Sequence, residues 1–187
     1  MGMPGRVCPW WLGYLLASPL RRWIEDPAKI LAPYVRAGMT VLEPGPGMGF
    51  FTLELARLVG PQGHVVAPEL QHRMVAGLKW RAARAGLADR VHARLVRPDT
   101  LGVDDLVGAV DFALVYAVVH EMPDAARFFS ETAAALKPGC TLLLAEPAGH
   151  VKPPEFETEL TLAAQAGLKV VDRPSIRRSH SALLKKS

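Results

Sequence analysis

The stretch Val41-Leu42-Glu43-Pro44-Gly45-Pro46-Gly47-Met48-Gly49 constrains this chain more than any other. Thr40 to Leu42 is short, apolar and β-prone, which predicts a buried strand. Three glycines follow at once, and an apolar-periodic segment, Phe50 to Val59, follows them as a helix. Strand, glycine turn and helix are how an α/β sheet opens a ligand pocket. Glycine lets the backbone approach a ligand without a Cβ in the way, and the helix N-terminus brings free N–H groups beside it.

The spacing narrows the ligand. A dinucleotide fingerprint has its third glycine three residues after the second. Here that position is Phe50, and the third glycine falls early, at Gly49. Glu43 stands at the C-terminal end of the strand, where a carboxylate would repel a pyrophosphate and suit a cationic or amine-bearing group. Glu-x-Gly-x-Gly-x-Gly resembles motif I of the class I S-adenosylmethionine-dependent methyltransferases. The cofactor of that family carries an ammonium and a sulfonium and no phosphate.

A second acid stands where such a family needs one. Gly60-Pro61-Gln62-Gly63 is a helix stop and turn, His64 to Ala67 reads as the second strand, and it ends at Pro68-Glu69. Glu69 lies twenty-six residues beyond Glu43, at the end of the next strand, which is the place from which a ribose is gripped. The resemblance makes Glu43, Gly45, Pro46, Gly47, Glu69 and Leu70 the cofactor-binding set, with Leu70 against the adenine or ribose. It also implies an acid after the third strand to read the adenine. That register falls on Arg97, with Asp99 two residues on, a departure that leaves open which of them serves or whether Asp99 caps a short helix.

The rest of the chain alternates in the same way. Gln71 to Ala85 reads as a helix closed by Gly86, and its basic side (Arg73, Lys79, Arg81, Arg84) as a solvated face. Val91 to Val96 alternates as a strand, and Val110 to Tyr116 is the continuous apolar run of a strand covered on both faces. Pro123 to Leu136 is a helix, Lys137-Pro138-Gly139 a turn and Cys140 to Ala145 a strand. A helix from Pro153 through Gln165 stops at Gly167, and Leu168 to Arg173 and Ile176 to Leu184 form a terminal pair of strands. The class expected is α/β, a three-layer doubly wound, mainly parallel seven-stranded sheet with an antiparallel C-terminal hairpin strand.

Asp26-Pro27 predicts a capped helix through Ile30 and Leu31. Residues 1–35, which hold Trp10, Trp11 and Trp23, are expected as a helical lid packed on a Rossmann-like domain over 36–187.

The family resemblance extends to Val118-Val119-His120-Glu121-Met122-Pro123-Asp124, similar to a segment that continues strand four in many small-molecule methyltransferases. It implies that Tyr116 passes beside the methionine part of the cofactor. His120 is the candidate base or acceptor-orienting group, with Tyr14, Glu146 and His150 as weaker candidates. H-E-x-x-H is absent, since Asp124 occupies the second histidine position.

The implied activity is methyl transfer from S-adenosylmethionine to a small-molecule acceptor by in-line displacement. A non-catalytic S-adenosylmethionine- or nucleoside-binding protein and an NAD(P)-dependent oxidoreductase are the alternatives. Base-nitrogen methylation usually goes with an Asn/Asp-Pro-Pro-aromatic segment, and Tyr116-Ala117-Val118-Val119 is not one. Arsenite methyltransferases share the fold but hold arsenic with several thiolates, and this chain has Cys8 and Cys140.

A net charge of +4 in 187 residues gives no strong nucleic-acid signal. No run reaches the length of a membrane span, and two cysteines without metal-ligand spacing fit a reducing, cytoplasmic compartment and no metal. A monomer or homodimer is expected.

Overall fold

The computed structural model describes residues 25–187. The expectations for Cys8, Tyr14, the three tryptophans at 10, 11 and 23, and the lid over residues 1–24 lie outside the described residues. The described chain falls into two compact units, residues 25–96 and 97–187.

In the first unit Asp26 caps helix α1 (Pro27–Leu31), its side chain accepting from the Ala28 and Lys29 amides. Strand β1 (Thr40–Leu42) runs into the glycine turn, and helix α2 (Thr52–Leu58) leaves it. Strand β2 (His64–Glu69), helix α3 (His72–Arg84) and strand β3 (Val91–Leu95) follow. The strand order is β3-β2-β1, all parallel, with Leu42 beside Val66 and Glu69 beside Leu95. β2 ends at Pro68-Glu69, as the sequence implied. Pro68, which has no N–H to give, falls past the last residue of β1 and so breaks no rung of that ladder. Leu42, Leu55, Val65, Ala67 and Leu78 are fully buried and make the core of this unit.

The second unit holds strand β4 (Val110–Tyr116), helix α4 (Ala125–Ala135), strand β5 (Leu136–Pro147), helix α5 (Pro153–Gln165) and strands β6 (Leu168–Asp172) and β7 (Ser179–Lys186). Its order is β4-β5-β7-β6; β4 and β5 are parallel, and β7 is antiparallel to both of its neighbours. Together the units supply the seven strands of a mixed, mainly parallel α/β sheet, as the alternating pattern required.

Two boundaries differ from the sequence reading. Lys137-Pro138-Gly139 is not a turn before β5 but an irregularity inside it: Val110 pairs with Leu136, and the ladder resumes at Phe112 with Thr141. Gly139 takes φ +75 there, and Lys137 donates to the skipped Asp111 at 2.5 Å. β7 begins at Ser179, not Ile176, because the chain reverses at Arg178 with φ +61.

Candidate functional site

The glycine turn is shaped by its backbone. Gly45, Gly47 and Gly49 take φ of +66, +55 and +82, a region that side-chain-bearing residues rarely enter. A Cβ at Gly49 would also stand 2.4 Å from the Leu78 Cδ1 atom, which would have to shift.

The three glycine amides of the turn are bonded within the chain. Gly45 N–H donates to the Pro68 carbonyl at 2.9 Å, and Gly49 N–H to the Pro46 carbonyl at 2.9 Å. Gly47 N–H donates to Glu69 Oε2 at 3.1 Å. Glu69 Oε1 accepts from Gln71 N–H at 2.9 Å, so this carboxylate ties the end of β2 to the turn. Burial pushes the Glu69 carboxyl above its ordinary value.

Glu43 sits behind the turn, 4% exposed. Its Oε2 has no hydrogen-bond partner among the described residues. Burial, with the Glu69 charge beside it, pushes the Glu43 carboxyl up to about 8. The turn therefore offers acceptors and no glycine donor. That balance fits a ligand bearing ammonium and hydroxyl groups and opposes a pyrophosphate, which needs donors. S-adenosylmethionine meets the first description. Pro46 is buried, and Gly45 and Gly47 leave the turn without side chains.

One supporting residue escaped the sequence reading. Arg81, assigned to a solvated face, reaches from α3 to donate to the Met48 carbonyl within the turn. Its side chain is partly buried, whereas Arg84 stays on the surface over the Trp80 ring. A basic stripe at helical spacing carries no signal that separates the two.

The second unit holds an acid–histidine cluster around the buried Glu146. β4 ends at Tyr116, and Ala117 turns the chain with φ +55. The following amides, Val118 and Val119, donate to Glu146 Oε1 at 3.1 and 2.8 Å. Glu146 Oε2 pairs with His120 Nδ1. The Glu146 side chain is fully buried, and that of His120 is 22% exposed. The hydrogen bond to Glu146 holds the imidazole above its ordinary value, against the opposing effect of burial. His150 meets the His120 ring edge-on, with centroids 5.7 Å apart. Tyr116 Oη lies 3.4 Å from Ser179 Oγ.

Arg97 and Asp99 pair with each other at 3.4 Å on the surface, their side chains 80% and 61% exposed. Asp99 caps no helix; the short 3₁₀ turn nearby begins at Asp104. The amide of Leu101 is instead held by Glu131 at 2.6 Å.

A family model described as a methyltransferase domain matches residues 36–175. This chain belongs to that methyltransferase domain family. The arsenite methyltransferase of Halobacterium salinarum is 33% identical over 102 residues, 54% of this chain and 25% of the relative. The chain thus spans about a quarter of the length of the curated relative it matches. A crystal structure of a SAM-dependent methyltransferase from Aquifex aeolicus superposes with a TM-score of 0.85 at 23% identity, over 97% of this chain and 100% of that one. Aeropyrum pernix fibrillarin, solved with natively bound S-adenosyl-L-methionine, gives 0.64 at 19% identity, over 94% and 76%. At these identities the two structures establish the methyltransferase fold. Within the family, the Glu43–Gly49 turn of this chain is the segment whose chemistry speaks to a ligand. Among the described residues no helix is long and apolar enough to cross a membrane.

Proposed function

We propose that this chain is an S-adenosylmethionine-dependent methyltransferase acting on a small-molecule acceptor. The observation that carries the reading is the glycine turn whose three glycine amides are bonded within the chain while two buried carboxylates flank it. Glu69, at the end of β2, would accept from the ribose hydroxyls. Glu43, with an oxygen that has no partner, would face the positive end of the ligand. Gly45, Pro46, Gly47 and Leu70 would supply close, largely uncharged contact. Bound there, the cofactor supplies a methyl group already activated by the sulfonium charge.

The protein's task is then mainly alignment of the acceptor, which can contribute roughly 7–11 kcal/mol. His120, held by Glu146, is the group of the second unit suited to take a proton from an acceptor. Arg97, Asp99 and Tyr116 belong to the same sequence-derived proposal, as do a cytoplasmic location and a monomeric or homodimeric state.

Isothermal calorimetry tests the cofactor. S-adenosylmethionine is expected to bind, and NAD⁺ and NADP⁺ are not. Binding of a nicotinamide dinucleotide in its place would overturn the reading. Binding of S-adenosylmethionine without turnover on any small-molecule extract would leave a non-catalytic binding protein.

A further inference from the structure

His120 and Glu146 are twenty-six positions apart and meet at the C-terminal ends of β4 and β5. The geometry around Glu146 fixes the histidine's chemistry. Glu146 Oε1 is committed to two backbone donors, Val118 and Val119. Its Oε2 faces Nδ1 and, belonging to an ionised carboxylate, can only accept. The proton of the neutral imidazole must therefore sit on Nδ1. This leaves the lone pair on Nε2, which makes no hydrogen bond with the described residues. The His120 side chain is 22% exposed.

We infer that Glu146 is a positioning residue that fixes His120 as a base at Nε2, and that the methyl acceptor is protic, attacking through a hydroxyl oxygen or an amine nitrogen that must lose a proton. This rests on the methyltransferase reading above. A thiolate, a thioether or an arsenic lone pair is already nucleophilic and needs no such group. In the step, the acceptor's O–H or N–H proton passes to His120 Nε2. Bound S-adenosylmethionine would supply the methyl carbon to the acceptor atom, its carbon–sulfur bond breaking with the pair left on sulfur. The imidazolium, matched by the Glu146 carboxylate, returns the proton to water.

The groups facing His120 set its working range. Glu146 on β5, Glu121 beside it and Glu159 on α5 all favour its charged form, and His150 packs on its edge. Glu159 is 8% exposed, with an Oε2 that has no partner among the described residues. Burial pushes its carboxyl up to about 8. With the imidazole titrating above its ordinary value, methylation should rise with pH through that titration.

Nitrogen-15 NMR of this 187-residue chain with labelled histidine, without cofactor, tests the positioning role. Wild type is expected to show neutral His120 with its proton on Nδ1 and a titration above 6.5. Glu146→Gln keeps an oxygen for the Val118 and Val119 amides but turns an NH₂ toward Nδ1. The proton should then move to Nε2 and the titration should fall, since the hydrogen bond to the Glu146 carboxylate is what raises it. Glu146→Asp should restore the wild-type tautomer. Wild-type protein with the proton on Nε2, or an unchanged tautomer and titration in Glu146→Gln, would overturn the inference.

The acceptor class is read from a small-molecule extract treated with ¹³C-methyl-labelled S-adenosylmethionine, with sodium arsenite as a separate probe. O-methyl or N-methyl products, lost at least tenfold in Glu146→Gln, support it. Sulfur- or arsenic-bound methyl formed equally by both proteins refutes it. Failure of the underlying methyltransferase reading is separate: it shows as no calorimetric binding of the cofactor while the NMR result stands.

Discussion

Replacing Glu43 by Gln isolates the cost of keeping an acid behind the glycine turn. Glu43 is 4% exposed, and its carboxyl is pushed from 4.5 to about 8, first by burial and then by Glu69. A carboxyl whose folded value lies above its unfolded one contributes stability that is complete below the unfolded value and is lost as pH rises through the folded one. The loss therefore runs from about pH 4.5 to about pH 8. At pH 7 the unfolded acid has been ionised across two and a half pH units while the folded one is still mostly protonated. At about 1.4 kcal/mol per unit this amounts to about 3 kcal/mol.

Gln cannot ionise, so the variant escapes that loss, less about 1 kcal/mol for burying an amide donor without a partner. The net gain near pH 7 is about 2 kcal/mol, and the melting temperature should rise by about 4–8 °C for a chain of this size. Ligand-free melts from pH 5 to pH 8 are the assay. The gap between variant and wild type should widen with pH. A gap that stays constant, or a variant that melts below wild type at pH 7.5, would refute the reasoning. In the proposed complex the ligand's positive charge draws the Glu43 proton off. Cofactor binding by wild type at pH 7 should then release a proton, seen as a buffer-dependent heat, and binding by Glu43→Gln should release fewer.

Glu69→Ala should weaken S-adenosylmethionine binding tenfold or more, because hydrogen bonds to a charged acceptor are lost; calorimetry decides, and unchanged affinity removes Glu69 from the site. Arg81→Met gives up the charged bond to the Met48 carbonyl and should cost about 1.5 kcal/mol in urea unfolding, with weaker cofactor binding as the turn loosens. Gly63→Ala sets a Cβ 2.6 Å from the Met39 carbonyl oxygen and 2.7 Å from that of Val59. Since backbone gives way poorly, about 1–3 kcal/mol of stability should be lost. Gly149→Ala meets nothing within 4 Å and should stay within about 0.5 kcal/mol of wild type in the same experiment.

The chain's local grammar was readable wherever backbone sterics decide. Asp26-Pro27 capped a helix, and Gly45, Gly47 and Gly49 took the left-handed backbone that only glycine adopts cheaply. Pro153 opened and Gly167 closed the helix that was expected between them. The same grammar misjudged Lys137-Pro138-Gly139. Those residues favour a turn, but Leu136 pairs with Val110 before them and Thr141 with Phe112 after them, so the strand absorbs them as an irregularity.

The order of strands and helices, the glycine bend and the two acids that follow β1 and end β2 belong to the sequence alone, since each depends on residues within a few positions of one another. Which polar groups meet does not. Glu69 takes the Gly47 amide from twenty-two residues away, and Arg81 supports Met48 from thirty-three. Glu146 orients His120 across twenty-six. These pairings exist because packing of the strands and helices brings distant segments within hydrogen-bond reach, and burial then makes each unpaired donor or acceptor too costly to leave. The string of residues names the carboxylates; the folded chain decides which of them hold the backbone, which holds a proton and which keeps an oxygen free.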